Sequence, residues 1–102
     1  MSRLGIQDYD KALDYFREAL KLDYRMNYPS GIASSYNNIA STWLLLSQHD
    51  SAEWYVNKAL VTAAEINDPD LVNYYVTLGH VLKTKGYKTS ALETLNKAYS
   101  MA

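Results

Sequence analysis

The residue type used most often in general acid–base catalysis is histidine, and this chain of 102 residues has two, His49 and His80. Neither has a nucleophile at a recognisable spacing, and the four glycines form no phosphate-binding loop. A lone histidine such as His80 on a predicted helix is more often a polar lining residue than a catalytic base. The absence of cysteine excludes thiol catalysis, disulfide scaffolds, cysteine zinc sites and iron–sulfur clusters. The residues therefore indicate a protein that is not an enzyme and that takes no cofactor.

The closest approach to a metal site is the acidic segment Glu65, Asn67, Asp68 and Asp70. Calcium-binding loops place several acidic residues and a glycine at fixed spacings, and this segment lacks that pattern. A helix end followed by the N-cap of the next helix explains the same residues. We therefore expect no metal here.

Charge is balanced along the whole chain. Lys and Arg total 10, Asp and Glu total 11, and neither half is basic, which disfavours nucleic-acid binding. The basic cluster Lys83, Lys85 and Lys88 is most simply a solvated edge, although it could meet an acidic partner.

The stretch 26–49 is uncharged, but its longest apolar run, residues 43–46, is far too short to span a membrane. We expect a soluble chain without membrane contact. The residues do not identify its compartment: the cytoplasm is only the default assignment, and an extracytoplasmic sensor region of a parent protein is the alternative.

An internal repeat organises the elements that carry these residues. With a shift of 39, Asn57-Lys58-Ala59 falls on the identical Asn96-Lys97-Ala98. A shift of 40 carries Ala12, Phe16 and Ala19 onto Ala52, Val56 and Ala59. Apolar residues within each unit recur at i, i+3, i+4 and i+7, which predicts amphipathic helices in pairs. The predicted helices cover about residues 8–26, 30–47, 50–67, 70–85 and 88–102.

Small residues and turn residues refine this prediction. Ala40, Ala52 and Gly79 recur where two helices must approach closely, so we expect helix crossings there. Gly86 is suited to the position after a helix C-terminus, and Asp50 to an N-cap. The first turn of the chain is predicted at residues 7–8.

These spacings resemble the tetratricopeptide (TPR) repeat, a helix–turn–helix unit. The matching residues are Tyr36-x2-Ile39-Ala40-x2-Trp43 with Ala52-x3-Val56, and Tyr75-x2-Leu78-Gly79-x2-Leu82 with Ala91-x3-Leu95. The period of 39–40 exceeds the roughly 34 residues typical of the family. In this the chain is similar to the extended repeats of kinesin light chain and of bacterial peptide-sensing regulators, and it resembles TPR regions of bacterial sensor kinases and transcription regulators.

The resemblance implies one all-α domain over 1–102, a right-handed α–α superhelix. It contains a partial repeat (1–28) and two full repeats (29–68 and 69–102). Because the first unit lacks most of its first helix and no polar helix closes the stack, we expect a fragment of a longer array. The alternative is a small complete protein that buries its open ends in a dimer.

TPR stacks present the first helix of each unit on a concave face, where family members bind extended peptides or partner helices. The residues that the resemblance places there are Ser34, Asn37, Asn38, Ser41 and Leu45 in one unit, and Asn73, Val76, Thr77, His80 and Lys83 in the next. Asparagine can both donate to and accept from a peptide backbone. The alternative is that Asn37 or Asn38 only caps or bridges helices.

The charge of these first helices indicates which partners fit. TPR domains that hold chaperone tails use several lysines and arginines on first helices. Here the helix over 30–47 has no charge, and the helix over 70–85 offers only Lys83 and Lys85 near its end. The expected partner is a neutral or mixed-charge protein or peptide segment, bound by a module of a larger, bacterial regulatory or signalling protein. The alternative function is structural: the repeats would self-associate through their open ends and determine the oligomeric state of the parent.

Overall fold

Five helices joined by short turns make up residues 6–101, the part of the chain that the computed structural model describes. They are α1 (Ile6–Arg25), α2 (Pro29–Leu45), α3 (His49–Glu65), α4 (Leu71–Thr84) and α5 (Lys88–Met101). Within this range there is no strand. All five predicted helices are confirmed, and Ala102, the predicted end of the last helix, lies outside the described residues.

The same hydrogen-bonded turn ends the first four helices. After α4, the Gly86 N–H donates to the Lys83 carbonyl (3.0 Å) and the Tyr87 N–H donates to the Leu82 carbonyl (2.9 Å). This pair of bonds is the Schellman motif, which needs a residue with positive φ directly after the helix cap. Gly86 has φ 92°, which confirms its predicted role. The corresponding residues after α1, α2 and α3 are Asn27, Ser47 and Asn67.

Two helix ends and one helix start differ from the prediction by two residues, and the other bounds agree within one residue. Helices α2 and α3 end two residues earlier than predicted, because Ser47 and Asn67 adopt the left-handed conformation that terminates them. The turn predicted at residues 7–8 is wrong, since α1 already begins at Ile6. Asp8 then lies in the first turn of α1, where its negative charge interacts favourably with the positive end of the helix dipole.

Asp50 was also assigned wrongly. The N-cap of α3 is Gln48, whose side chain makes no capping bond, and Asp50 lies inside the first helical turn. Its carboxylate oxygen Oδ1 instead lies 2.9 Å from the Nζ of Lys85 at the end of α4. The position of Asp50 at the start of the predicted helix suggested a local cap, whereas its actual partner is 35 positions away in the chain.

Each helix packs against the next one along the chain, and α2 also contacts α4. A buried cluster lies where α2, α3 and α4 meet, and it includes Tyr36, Leu60 and Tyr74. The first helices of the two full units are therefore neighbours, as in a stack of helix pairs.

Small residues lie where the helices cross, as predicted. Ala40 and Ala52 are fully buried. At Gly79, an added Cβ would lie 2.6 Å from Cδ2 of Leu95, which is closer than real Cβ contacts allow. The absence of a side chain at Gly79 thus lets α5 approach α4.

Candidate functional site

The predicted partner-binding residues lie on α2 and α4, the two first helices that contact each other. Four of them are exposed: Ser34, Asn73, His80 and Lys83. The other four are half-buried: Asn37, Asn38, Ser41 and Thr77. Because α2 and α4 are in contact, the four residues on α2 and the four on α4 lie on neighbouring helices. We call these eight residues the α2–α4 face.

Hydrogen bonds already engage part of the α2–α4 face. The Thr77 hydroxyl donates to the Asn73 carbonyl (3.2 Å), which leaves its oxygen free only as an acceptor. The Asn73 side-chain amide donates to Asp70 Oδ1 at a long distance of 3.4 Å. A ligand could readily replace so long a bond, so the Asn73 amide stays available.

The two adjacent asparagines of α2 differ in their surroundings. Asn37 Oδ1 is enclosed and has no hydrogen-bond partner among residues 6–101. The backbone carbonyl of Asn38 accepts a bond from the Thr42 hydroxyl at 2.9 Å. An enclosed acceptor without a donor is uncommon in folded proteins.

A tyrosine joins α4 to α2 at the start of this face. Tyr74 is buried, and burial raises the pKa of its phenol to about 12. The negative charges of Asp68 and Asp70 add to this rise in pKa, while the nearby Ser34 side chain opposes it. Tyr74 lies in one buried cluster with Ile32 and Ala33 of α2, so it packs the two helices together close to the exposed Ser34.

The charge on this face is low. Helix α2 carries no charged residue, and within α4 only Lys83 does. Lys85, just beyond α4, is not part of a solvated basic edge as the sequence suggested. Its ammonium lies 2.6 Å from Glu53 Oε1 and 2.9 Å from Asp50 Oδ1, and these bonds raise the pKa of Lys85 above its ordinary value.

A tyrosine contact between α1 and α2 is a feature that sequence reasoning did not identify. The hydroxyl oxygens of Tyr24 and Tyr36 are 2.8 Å apart, and the rings meet edge to face. Burial, followed by the bond to Tyr24, raises the pKa of Tyr36 to about 12. The ten tyrosines of the chain were a compositional signal of such contacts, without indicating which would pair.

Other kinds of site were sought across the described range. No group of three or more His, Asp or Glu side chains in residues 6–101 is arranged to hold a metal ion. Asp68 instead supports the turn before α4, where its Oδ1 accepts the Asp70 N–H at 2.9 Å. Among the described helices, none is both long and apolar enough to cross a membrane.

Comparison with known proteins assigns the family. A family model of the tetratricopeptide repeat matches residues 3–25 and 72–102, which is more than half of the chain. The chain belongs to the tetratricopeptide repeat family. The two matched segments contain α1 and nearly all of α4 and α5, and the internal repeat relates the α2–α3 pair between them to the α4–α5 pair. TPR domains are in general protein-interaction modules rather than catalytic ones.

Two known proteins are similar to this TPR chain. An uncharacterized protein, ycf37 of Guillardia theta, is 37% identical over 73 residues, which are 72% of this chain and 36% of that protein. The crystal structure of the apo form of RapI aligns with a TM-score of 0.84 at 24% identity, and covers 94% of this chain and 35% of RapI. At that identity the likeness establishes the fold alone. The chain spans about a third of the length of either protein.

Proposed function

We propose that this TPR chain is a non-catalytic binding module of a larger bacterial regulatory protein, and that it takes a peptide or protein segment along the α2–α4 face. The observation that carries the proposal is the polar, nearly uncharged surface that two contacting helices share. Surfaces of this kind bind through main-chain hydrogen bonds and shallow apolar contacts rather than through ion pairs.

The side-chain amides of Asn38 and Asn73 support this proposal. Asn37 Oδ1 is enclosed and therefore not accessible to a segment bound on the surface. The Asn38 and Asn73 amides can each offer a donor and an acceptor to the same backbone. A segment in extended conformation exposes such groups at regular spacing, whereas a folded helix uses them internally.

Charge restricts the class of partner. With Lys83 as the only cation in α4 and none in α2, the face lacks the cluster that would hold an acidic tail. We therefore expect a neutral or mixed-charge segment whose affinity depends weakly on salt.

A displayed library of random peptides, selected on the immobilised chain, tests this proposal. Selected peptides should bind Asn38→Ala and Asn73→Ala at least about tenfold more weakly, since removing a partner leaves a peptide group unpaired. The matched controls are Asn57→Ala and Asn96→Ala, exposed asparagines on α3 and α5, which should bind as the parent does. Equal weakening by the control variants, or selection of uniformly acidic peptides, would contradict the proposal.

A second candidate function is self-association, and the exposed face of α1 favours it. Tyr15 is 71% exposed and Leu22 is also exposed, and both line a shallow depression on α1. The corresponding position to Tyr15 in the next unit is Tyr55, which packs near Tyr36. Sedimentation over a wide concentration range tests this function: a dimer that Leu22→Asp dissociates and Asn38→Ala leaves intact would support it.

A further inference from the structure

The side of α3 that faces away from the buried cluster carries two exposed apolar residues. Trp54 is 57% exposed and Val61 is 61% exposed. They are two helical turns apart, so both side chains lie on the same side of the helix. Second helices of the repeat precede and follow α3, and within residues 6–101 α3 contacts neither α1 nor α5. The exposure of both side chains is therefore a property of the middle of the stack and not of either end.

The corresponding positions of the other two units are polar. The shift of 40 places Asp14 and Lys21 of α1 there, and the shift of 39 places Glu93 and Ser100 of α5 there. All four of these residues are exposed, so the positions face outward in every unit. Because the same fold accepts charged and polar residues at these positions, the stack itself does not require a tryptophan and a valine on α3.

The ring of Trp54 is held in place although it is exposed. The Nζ of Lys58 lies 5.3 Å from the ring centroid, and the ring of Tyr55 meets it edge to face with the centroids 5.0 Å apart. An aromatic side chain that neighbours already hold loses little conformational freedom when a partner covers it. Tryptophan is also among the residues that contribute most to protein interfaces. Trp54 therefore has the properties of an anchor for a partner.

One exposed carboxylate lies at each end of this apolar pair. Asp50 precedes Trp54 by four positions, and Glu65 follows Val61 by four positions. Residues at this spacing share one side of a helix, so the four side chains form a row of about 22 Å along α3. We call these four residues the outer stripe of α3.

Both carboxylates of the outer stripe keep negative charge that the chain does not fully balance. The Asp50 side chain is 93% exposed, and it shares the Lys85 ammonium with Glu53, so one cation faces two carboxylates. Glu65 is the last residue of α3, where a negative charge opposes the helix dipole. It forms no ion pair with any residue that the structure describes. The residue at the corresponding end of α1 is Arg25, whose charge suits a helix C-terminus.

The positions of these charges disfavour a second copy of the chain as the occupant. If two copies packed their outer stripes antiparallel, Asp50 of one would lie opposite Glu65 of the other. If they packed parallel, each carboxylate would lie opposite its own counterpart. Both arrangements place like charges together, which is unfavourable in an interface. A partner with positive charge at both ends of an apolar row is complementary instead.

We propose that the outer stripe of α3 binds an amphipathic helix of a partner protein. Two apolar residues of this helix cover Trp54 and Val61, and a lysine or arginine beyond each of them meets the carboxylate at that end. The inference stands apart from the proposed peptide-binding function, because the α2–α4 face lies on the first helices of the units and the outer stripe on a second helix.

The stripe favours a helix over an extended segment. The backbone of α3 is hydrogen-bonded within the helix, so it offers no main-chain groups to pair with an extended chain. A helical partner satisfies its own backbone groups and presents side chains at the same intervals of four and seven positions. Its apolar and basic residues can therefore meet all four members of the stripe at once.

A designed peptide tests the proposal on the whole chain of 102 residues. It is an alanine-based helix with two leucines seven positions apart and one arginine four positions outside each leucine. This spacing is the same in both directions, so the test does not depend on the direction in which the partner lies. We expect titration of the peptide to shift the Trp54 indole N–H resonance in the NMR spectrum. A peptide with glutamate in place of both arginines should bind at least about tenfold more weakly.

The other units of the chain supply the variants. Trp54→Glu and Val61→Ser introduce the residues that α5 has at these positions, so the fold should accept them. Each should weaken binding at least about fivefold by removing apolar area, and Val61→Ser decides the test if Trp54→Glu does not fold.

A charge exchange tests the ends of the stripe. Glu65→Arg introduces the residue at the corresponding position of α1, and it should weaken binding of the arginine-flanked peptide. A peptide in which glutamate replaces one of the two arginines should then bind Glu65→Arg more tightly than it binds the parent. Glu93→Arg makes the same charge change on α5 and is the matched control, and Asn73→Ala alters the α2–α4 face. Both controls should bind the arginine-flanked peptide as the parent does.

Four results would overturn the proposal. One is a titration in which no resonance of α3 shifts. Another is equal affinity of the parent, Trp54→Glu and Val61→Ser for the peptide. The third is weaker binding by Asn73→Ala, because the peptide would then occupy the α2–α4 face. The fourth is a dimer of the chain that Trp54→Glu converts to a monomer, since a second copy would then cover the stripe.

Discussion

Gly79 allows the crossing of α4 and α5 to be tested quantitatively. An added Cβ would lie 2.6 Å from Leu95 Cδ2 and 2.7 Å from Leu95 Cγ, so alanine at this position must displace the leucine. Overpacking of this kind costs about 1–3 kcal/mol of unfolding free energy. Alanine favours a helix over glycine by about 1 kcal/mol, which offsets part of that cost. We therefore expect Gly79→Ala to be destabilising by up to about 2 kcal/mol.

The double variant separates the two contributions. Leu95→Ala removes the obstacle, so Gly79→Ala in that background should stabilise the protein by about 1 kcal/mol through helix propensity alone. The assay is denaturant unfolding of the parent, both single variants and the double variant. The expected coupling energy between the two positions is about 1–3 kcal/mol. An equal stabilisation by Gly79→Ala in both backgrounds would refute the reasoning, because the two residues would then not be in contact.

Four further predictions concern turns and ionisable groups. Gly86→Ala should lower the unfolding free energy by about 1–2 kcal/mol, because φ is 92°, a backbone conformation that is unfavourable for alanine. An added Cβ would contact no neighbouring atom, so the loss would come from the backbone conformation and not from a clash. Ser47→Gly, at φ 60°, should raise it by about 1 kcal/mol, and denaturant midpoints of both variants check this pair. The pKa of Asp50 is lowered by its hydrogen bond with Lys85, so this stabilisation is present above the unfolded pKa of about 4 and is lost as pH falls through the folded one. If the stability of Lys85→Met depends on acidic pH as strongly as that of the parent, the stabilisation does not come from the Asp50–Lys85 bond. The pKa of Tyr74 is raised from 10.0 to about 12, so its contribution is complete below pH 10 and is lost as pH rises through 12. In Tyr74→Phe, the denaturation midpoint should fall less steeply as pH rises above 10. If the midpoint falls as steeply as in the parent, the alkaline loss of stability comes from other groups.

The helices could be predicted from the sequence because their signals are local and repeated. Ala52, Ala59 and Ala98 recur in register with larger apolar residues, and this pattern requires paired helices whatever their exact geometry. Helix ends were less predictable where the terminating residue is not glycine. Gly86 was identified as a cap, whereas Ser47 and Asn67 adopt the same left-handed conformation without an unambiguous residue type.

Contacts between distant residues could not be predicted from spacing. Asp50 has the residue type of a helix cap, and only the packing of α4 on α3 shows that it bonds Lys85 instead. Similarly, the family resemblance placed Asn37 and Asn38 on one face, but it could not show that Asn37 Oδ1 is enclosed. That distinction depends on how closely neighbouring helices approach.

The order of contacts in the stack has a consequence for how the chain folds. Every helix packs on its neighbour in sequence, and α2 with α4 is the one further pair among the described helices. Such low contact order is typical of domains that fold in microseconds to milliseconds. Nucleation can start at any adjacent pair and then propagate. We therefore expect one pair of helices to open and close while the neighbouring pair stays folded, so that the stack can rearrange locally without passing through the unfolded state.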